Sequence, residues 1–119
     1  MPEKTIRLIN FLNSLEQELR NQAMWQSERP SEQALSSDTP FCVDTLKFEQ
    51  WLQFVFIERL KVMVQLGHPL PTNISICPMA EETFAYKGEV AANLINIIGD
   101  IDELLSGQRI QLKYTKDRQ

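Results

Sequence analysis

PFCVDTLKFEQWLQFVFIERLKVMVQL, residues 40–66, decides the fold: it holds five of the ten aromatic residues and reads as one very apolar helix. That helix begins near Thr45, with Asp44 or Thr45 as its cap, and must stop at Gly67, ahead of Pro69 and Pro71. A helix this apolar has to be enclosed by others. The chain therefore reads as all-α, a single-domain antiparallel bundle of about four helices around a central helix over 46–66.

Working outward, residues 4–25 place Leu8, Ile9, Phe11, Leu12, Leu15, Leu19 and Ala23 within about 160° of arc, an amphipathic helix. QSERPSEQALSSDTP follows, a polar stretch in which Pro30-Ser31-Glu32 can start one short turn, so residues 26–44 read as a long ordered loop. A third, short helix is predicted over 78–87, opened by Pro78 and ended by Gly88. A fourth is predicted over 89–106, ended by Gly107. On it Val90, Leu94, Ile97, Ile98, Ile101, Leu104 and Leu105 share one face, while Asn93, Asn96, Asp100 and Glu103 share the other. No strand alternation or internal repeat is visible.

On the central helix, Phe48, Trp51, Leu52, Val55, Phe56, Leu60, Val62, Met63 and Leu66 span about 180° at 100° per residue. Two anomalies stand out. Arg59 falls in the middle of the apolar sector, and Phe54, Ile57 and Val64 fall in the polar one. A guanidinium in a core needs a carboxylate, and Glu16 is the carboxylate inside the apolar arc of the first helix. A Glu16–Arg59 salt bridge is therefore expected, with Asp44 as the alternative acceptor. Phe54, Ile57 and Val64 should meet a neighbouring helix or the long loop, or else form a binding or oligomer surface.

A chain of 119 residues is one domain that needs no disulfide staple. The reading assigns a helical bundle to residues 1–108 and a basic, flexible tail to 109–119. The tail carries Arg109, Lys113, Lys116 and Arg118 against Asp117, or +3; with −4 for the whole chain, −7 remains for residues 1–108. An acidic body repels a phosphate backbone, so direct nucleic-acid binding is not expected. Neither a spanning segment nor a secretory signal is readable, which places the protein in the cytoplasm with Cys42 and Cys77 as free thiols.

Catalytic chemistry finds little to work with. His68 is the single histidine, so a Cys42–His68 dyad is the one available nucleophile and base pair, and nothing around either residue marks a hydrolase. Cys42, His68 and Cys77 lack the close spacing that nucleates a metal site. The four glycines form no phosphate loop. No catalytic residue, metal or cofactor is expected.

LEQELRNQAMW, then SSDTPFCVDTLKFEQWLQFVFIERL, then GHPLPTNISICPMAEE, in that order, resemble the YqcC-like family of small bacterial proteins, over roughly Ile6 to Leu105. The most specific parts are Pro40-Phe41, Asp44-Thr45, Trp51-Leu52-Gln53 and Pro69-Leu70-Pro71. The resemblance implies an all-helical bundle and a gene-neighbourhood or naming link with a tRNA pseudouridine synthase, and it carries over no catalytic residue. Glu58 stands where the family often has proline before the basic residue, so the mid-helix kink that the resemblance implies lacks its proline here. Two functions then compete. The favoured one is a protein-interaction module, receiving a partner protein or a second copy (a homo-oligomer) on an apolar groove or on Phe54, Ile57 and Val64. The rival is an anionic-ligand pocket centred on Arg59, with Trp51 and Gln53 beside it.

Overall fold

The computed structural model describes residues 2–111, and these contain helices and turns without a strand. The chain is all-α, as its periodicity predicts. It divides into two compact units, one built from residues up to Glu18 together with Leu70 onward, the other from Leu19–Pro69. The first helix, α1 (Glu3–Asn21), supplies residues to both.

In the first unit, α1 buries Leu8, Leu12 and Leu15, spaced four and three residues apart on one face. Two more helices follow, α4 (Cys77–Thr83) and α5 (Ala92–Ser106), which pack together. Leu94, Ile98, Ile101 and Leu105 are buried, the apolar face that the sequence predicts, although Val90 on the preceding turn is exposed. The third helix is shorter than predicted: it ends at Thr83, and the chain turns through a 3-10 segment, Ala85–Ala91, while Phe84 is buried. Gly88 lies inside that segment at φ 60°, ψ −138°, a region that only glycine occupies without strain, so it is no helix terminator. Gly88→Ala meets open space yet should cost about 1–3 kcal/mol in chemical denaturation, from backbone strain alone. The fourth predicted helix starts at Ala92 rather than residue 89 and ends at Gly107 in the left-handed conformation as expected.

The second unit opens on the end of α1, which stops four residues before the predicted residue 25. Met24 N–H bonds to the Leu19 carbonyl (2.8 Å) and Ala23 N–H to that of Arg20 (3.0 Å), a Schellman ending with Ala23 left-handed at φ 58°. At the end of the central helix the same pair of bonds runs from His68 to Met63 and from Gly67 to Val64, there with glycine at the left-handed position. Ala23→Gly should therefore stabilise the protein by about 1 kcal/mol in a thermal melt. In the loop, Ser31 accepts from Ala34 N–H and caps the single turn α2 (Glu32–Leu35), as Pro30-Ser31-Glu32 predicts. Asp44 and Thr45 do not cap the central helix. The Thr45 hydroxyl donates to the carbonyl of Ala34, Asp44 accepts from Ser37, and the helix starts at Phe48, where Lys47 N–H donates to Gln50 Oε1 (2.7 Å).

That central helix, α3, covers residues 48–66 in three parts: an α-helical turn Phe48–Trp51, a π-helical stretch Leu52–Ile57, and an α-helix Glu58–Leu66. The π stretch accounts for Arg59, Ile57 and Val64. A π turn holds one residue more than an α turn, so whatever follows it is rotated by about 100° against a uniform wheel. That rotation carries Ile57 and Val64 into the apolar sector and Arg59 out of it. Accordingly Ile57 is buried, Val64 is half-buried and Arg59 is exposed, while Phe54, inside the stretch, is buried with Arg29 of the loop over its ring. The departure from regular helix falls just before Glu58 and is made by a wide turn instead of a proline.

Candidate functional site

Arg59 lies at the edge of an open groove of about 320 Å³ in the second unit, between α3 and the long loop. Phe54, Val55, Val62 and Met63 of α3 line it with Leu35 of α2, and the remaining lining is charged: Arg29, Glu58 and Arg59. One guanidinium nitrogen of Arg29 lies 2.9 Å from both carboxylate oxygens of Glu58, and Arg29 also sits over the Phe54 ring at 5.9 Å. The Glu58 carboxylate raises the Arg29 pKa above its ordinary value. The Arg59 side chain, by contrast, forms no hydrogen bond or ion pair with a described residue of its own unit. The partner expected in Glu16, or in Asp44, was a requirement of a buried guanidinium. This one is solvated, so the requirement lapses.

The other residues singled out in the sequence divide by role. Glu16 is half-buried on α1, in the first unit. Asp44 accepts from the Ser37 hydroxyl at 2.5 Å, a bond that holds its carboxyl below the usual range. Trp51 stacks on Phe48 and Phe56 (5.9 and 5.5 Å) and meets Phe41 edge-on at 4.9 Å. Phe41 and Cys42 are both left-handed, at φ 58° and 50°, a strain that this aromatic cluster offsets. Gln53 is 5% exposed and brackets the backbone of Gln26, its Oε1 accepting from the N–H (3.0 Å) and its Nε2 donating to the carbonyl (2.8 Å). It is thus a satisfied structural amide that ties the loop to α3. Burial removes Phe54 and Ile57 as an exposed surface patch, although Phe54 still lines the groove.

Two buried polar groups in the first unit escaped the sequence reading. Asp102 on α5 accepts from Ile76 N–H (2.9 and 2.8 Å) and Cys77 N–H (2.7 Å), capping α4 from a different helix. Its signal was its position, four residues after Ile98 and three before Leu105 on the apolar face. Burial pushes its pKa up, against the pull of those two N–H donors and of Arg109. Arg109, whose side chain is 7% exposed, pairs with Asp100 (2.8 Å) and Glu103 (3.2 Å). Gly99 gives it room, since a Cβ there would lie 3.0 Å from its guanidinium. Of the segment read as a basic tail, Arg109 and Gln111 thus lie against α5, Gln111 donating to Asn96; residues 112–119 lie outside the described residues.

Both cysteines are buried, unpaired thiols. Desolvation, with Glu81 and Asp102 adding to it, pushes the Cys77 thiol up to about 12, and it points at the Ile95 carbonyl. Cys77 is therefore a poor nucleophile. Cys42 faces the Ser37 carbonyl, and among the described residues no hydrogen bond joins it to the exposed His68. Among the same residues no cluster of His, Cys, Asp or Glu is arranged to hold a metal ion, and no helix is long and apolar enough to cross a membrane.

Comparison with known proteins places this all-helical chain in a family. The protein belongs to the DUF446 family, whose description reads tRNA pseudouridine synthase C, and residues 7–104 carry the match. An uncharacterised protein of Haemophilus influenzae is 33% identical over 93 residues, covering 78% of this chain and 87% of that one. The uncharacterised protein YqcC of Escherichia coli is 28% identical over 95 residues, 80% of this chain and 87% of its own. The solution structure of E. coli YqcC shares the fold, with a TM-score of 0.78 over 99% of this chain and all of that one at 24% identity. A Pectobacterium carotovorum protein named tRNA pseudouridine synthase C is 38% identical over 66 residues, which make up 56% of this chain and only 18% of that protein.

Proposed function

We propose that this protein is a non-enzymatic interaction module of the cytoplasm that works beside a tRNA pseudouridine synthase. The observation that carries this reading is the Pectobacterium match. Its 66 residues are 18% of a protein that is therefore about three times the length of this chain. A domain that occurs alone in some bacteria and as a minor part of a longer synthase in another is a natural partner of the remainder. Fusion raises the effective concentration of the two parts, and separate chains must reach the same contact by affinity. Catalysis is assigned to the partner, because the carboxylates Asp100 and Asp102 are occupied in structural contacts and the Cys77 thiol is held protonated. Contact with tRNA is likewise assigned to the partner, since this chain carries −4.

The test mixes the purified full chain with the tRNA pseudouridine synthase C of the same bacterium at low salt. The expected result is a complex of fixed stoichiometry by light scattering and a changed rate of pseudouridine formation on tRNA, with none formed by this chain alone. A failure to form any complex would overturn the synthase as partner, and scattering of the chain by itself reports whether it self-associates. The rival reading, an anionic metabolite at Arg59, predicts a thermal shift in a screen of such compounds. The open groove favours it less, because metabolite sites enclose most of their ligand.

A further inference from the structure

One face of α3 carries an exposed aliphatic row with a cation in it. Val55, Arg59, Val62 and Leu66 follow one another at spacings of four, three and four residues, which lines them up along the helix. Val62 is 49% and Leu66 62% exposed, and both are aliphatic. Regular α-helical phase would have turned this face differently. The π stretch Leu52–Ile57 sets it, and π turns are often retained at functional positions. Across the groove the loop supplies Leu35 as a second apolar wall, and Arg29 closes the edge.

Charge then narrows what can lie there. Arg29 is held by both oxygens of Glu58, so the pair is close to neutral toward a ligand. Arg59 has no such carboxylate within its unit and stands in the middle of the aliphatic row, in a chain of net charge −4. A complementary occupant needs one carboxylate, with aliphatic side chains about a helical turn to either side. We propose that this groove docks a short amphipathic segment of the partner protein, an acidic residue pairing with Arg59 while its aliphatic neighbours cover Val62, Leu66 and Leu35. The proposal rests on the interaction-module reading and names its surface. A peptide, unlike a compact metabolite, can run along an open groove and cover the whole row.

The experiment selects phage-displayed random 16-residue peptides on the immobilised full chain, then measures synthetic copies by fluorescence anisotropy. The variants are R59E, R59K and V62D, with V90D as a control at an exposed valine of the first unit. All should keep the wild-type circular dichroism and melting temperature, because every substituted side chain is exposed. Expected is a consensus with Asp or Glu between Leu, Ile, Val or Met. Binding should weaken at least tenfold in R59E and V62D, less in R59K, and not in V90D. A selection without that consensus, or peptides that bind R59E as tightly as wild type, overturns the proposal. The same variants are run against the synthase in parallel. Synthase binding that ignores R59E keeps the interaction reading and removes the groove, whereas Arg59-dependent peptides without synthase binding keep the groove and remove that partner.

Discussion

Asp102→Ala should cost about 3 kcal/mol or more of folding stability, because each buried N–H left without an acceptor costs roughly 1–3 kcal/mol and this substitution strands two. The Ile76 and Cys77 N–H groups open α4 and have no acceptor in their own turn; the carboxylate that serves them comes from α5, about 25 residues along the chain. Asp102→Asn should not rescue the loss fully. An asparagine offers one acceptor oxygen, and its amide would turn donors toward donors. Urea denaturation checks both, and the substitutions should lower the midpoint with little change in slope. If Asp102→Ala unfolds at the wild-type midpoint, the cap is solvated rather than buried and the account of α4 fails.

The second large effect is set by pH. The Cys77 thiol has a pKa raised from 9.0 to about 12 by burial and by the neighbouring carboxylates. A raised folded pKa gives a contribution that is complete below the unfolded value and is lost as pH rises through the folded one. Wild-type stability should therefore fall between pH 9 and 12 relative to Cys77→Ala, by about 4 kcal/mol over the three units. Taking the difference between the two proteins removes the tyrosines and lysines, which titrate in both. Parallel pH profiles would mean that the thiol is reached by water. The same burial makes Cys77 inert to thiol reagents at pH 8 until the first unit opens, so its labelling rate should follow the unfolding equilibrium.

Much of the architecture is local information, and so it is legible in the chain. The apolar rows of α1 and α5 follow from a 3.6-residue period, the single turn α2 from Ser31 after Pro30, and the ends of α3 and α5 from Gly67 and Gly107, which adopt φ values that other residues resist. The end of α1 is not legible, because Ala23 takes a left-handed position that nothing in its chemistry announces. The end of the third helix is not legible, because Gly88 has two uses for positive φ and the sequence does not say which.

The candidate site was legible in composition and not in direction. Arg59 and the row of aliphatic residues around it were visible, and so was the mismatch of Phe54, Ile57 and Val64 with a uniform wheel. A single inserted residue explains Arg59, Ile57 and Val64, yet its placement at Leu52–Ile57 depends on how the turn packs, with Gln53 drawn inward to hold the Gln26 backbone. Arg29 reaches Glu58 across 29 residues and Asp102 reaches Cys77 across 25, contacts that no periodicity encodes. Sequence alone determined that this chain is helical, where most helices lie and which residues carry charge amid apolar ones, because those depend on neighbours within one or two turns. Only the tertiary structure decided that Arg59 faces water and Asp102 faces the core, because the phase of a helix beyond a wide turn, and the acceptor for a buried N–H, are settled by what packs against them.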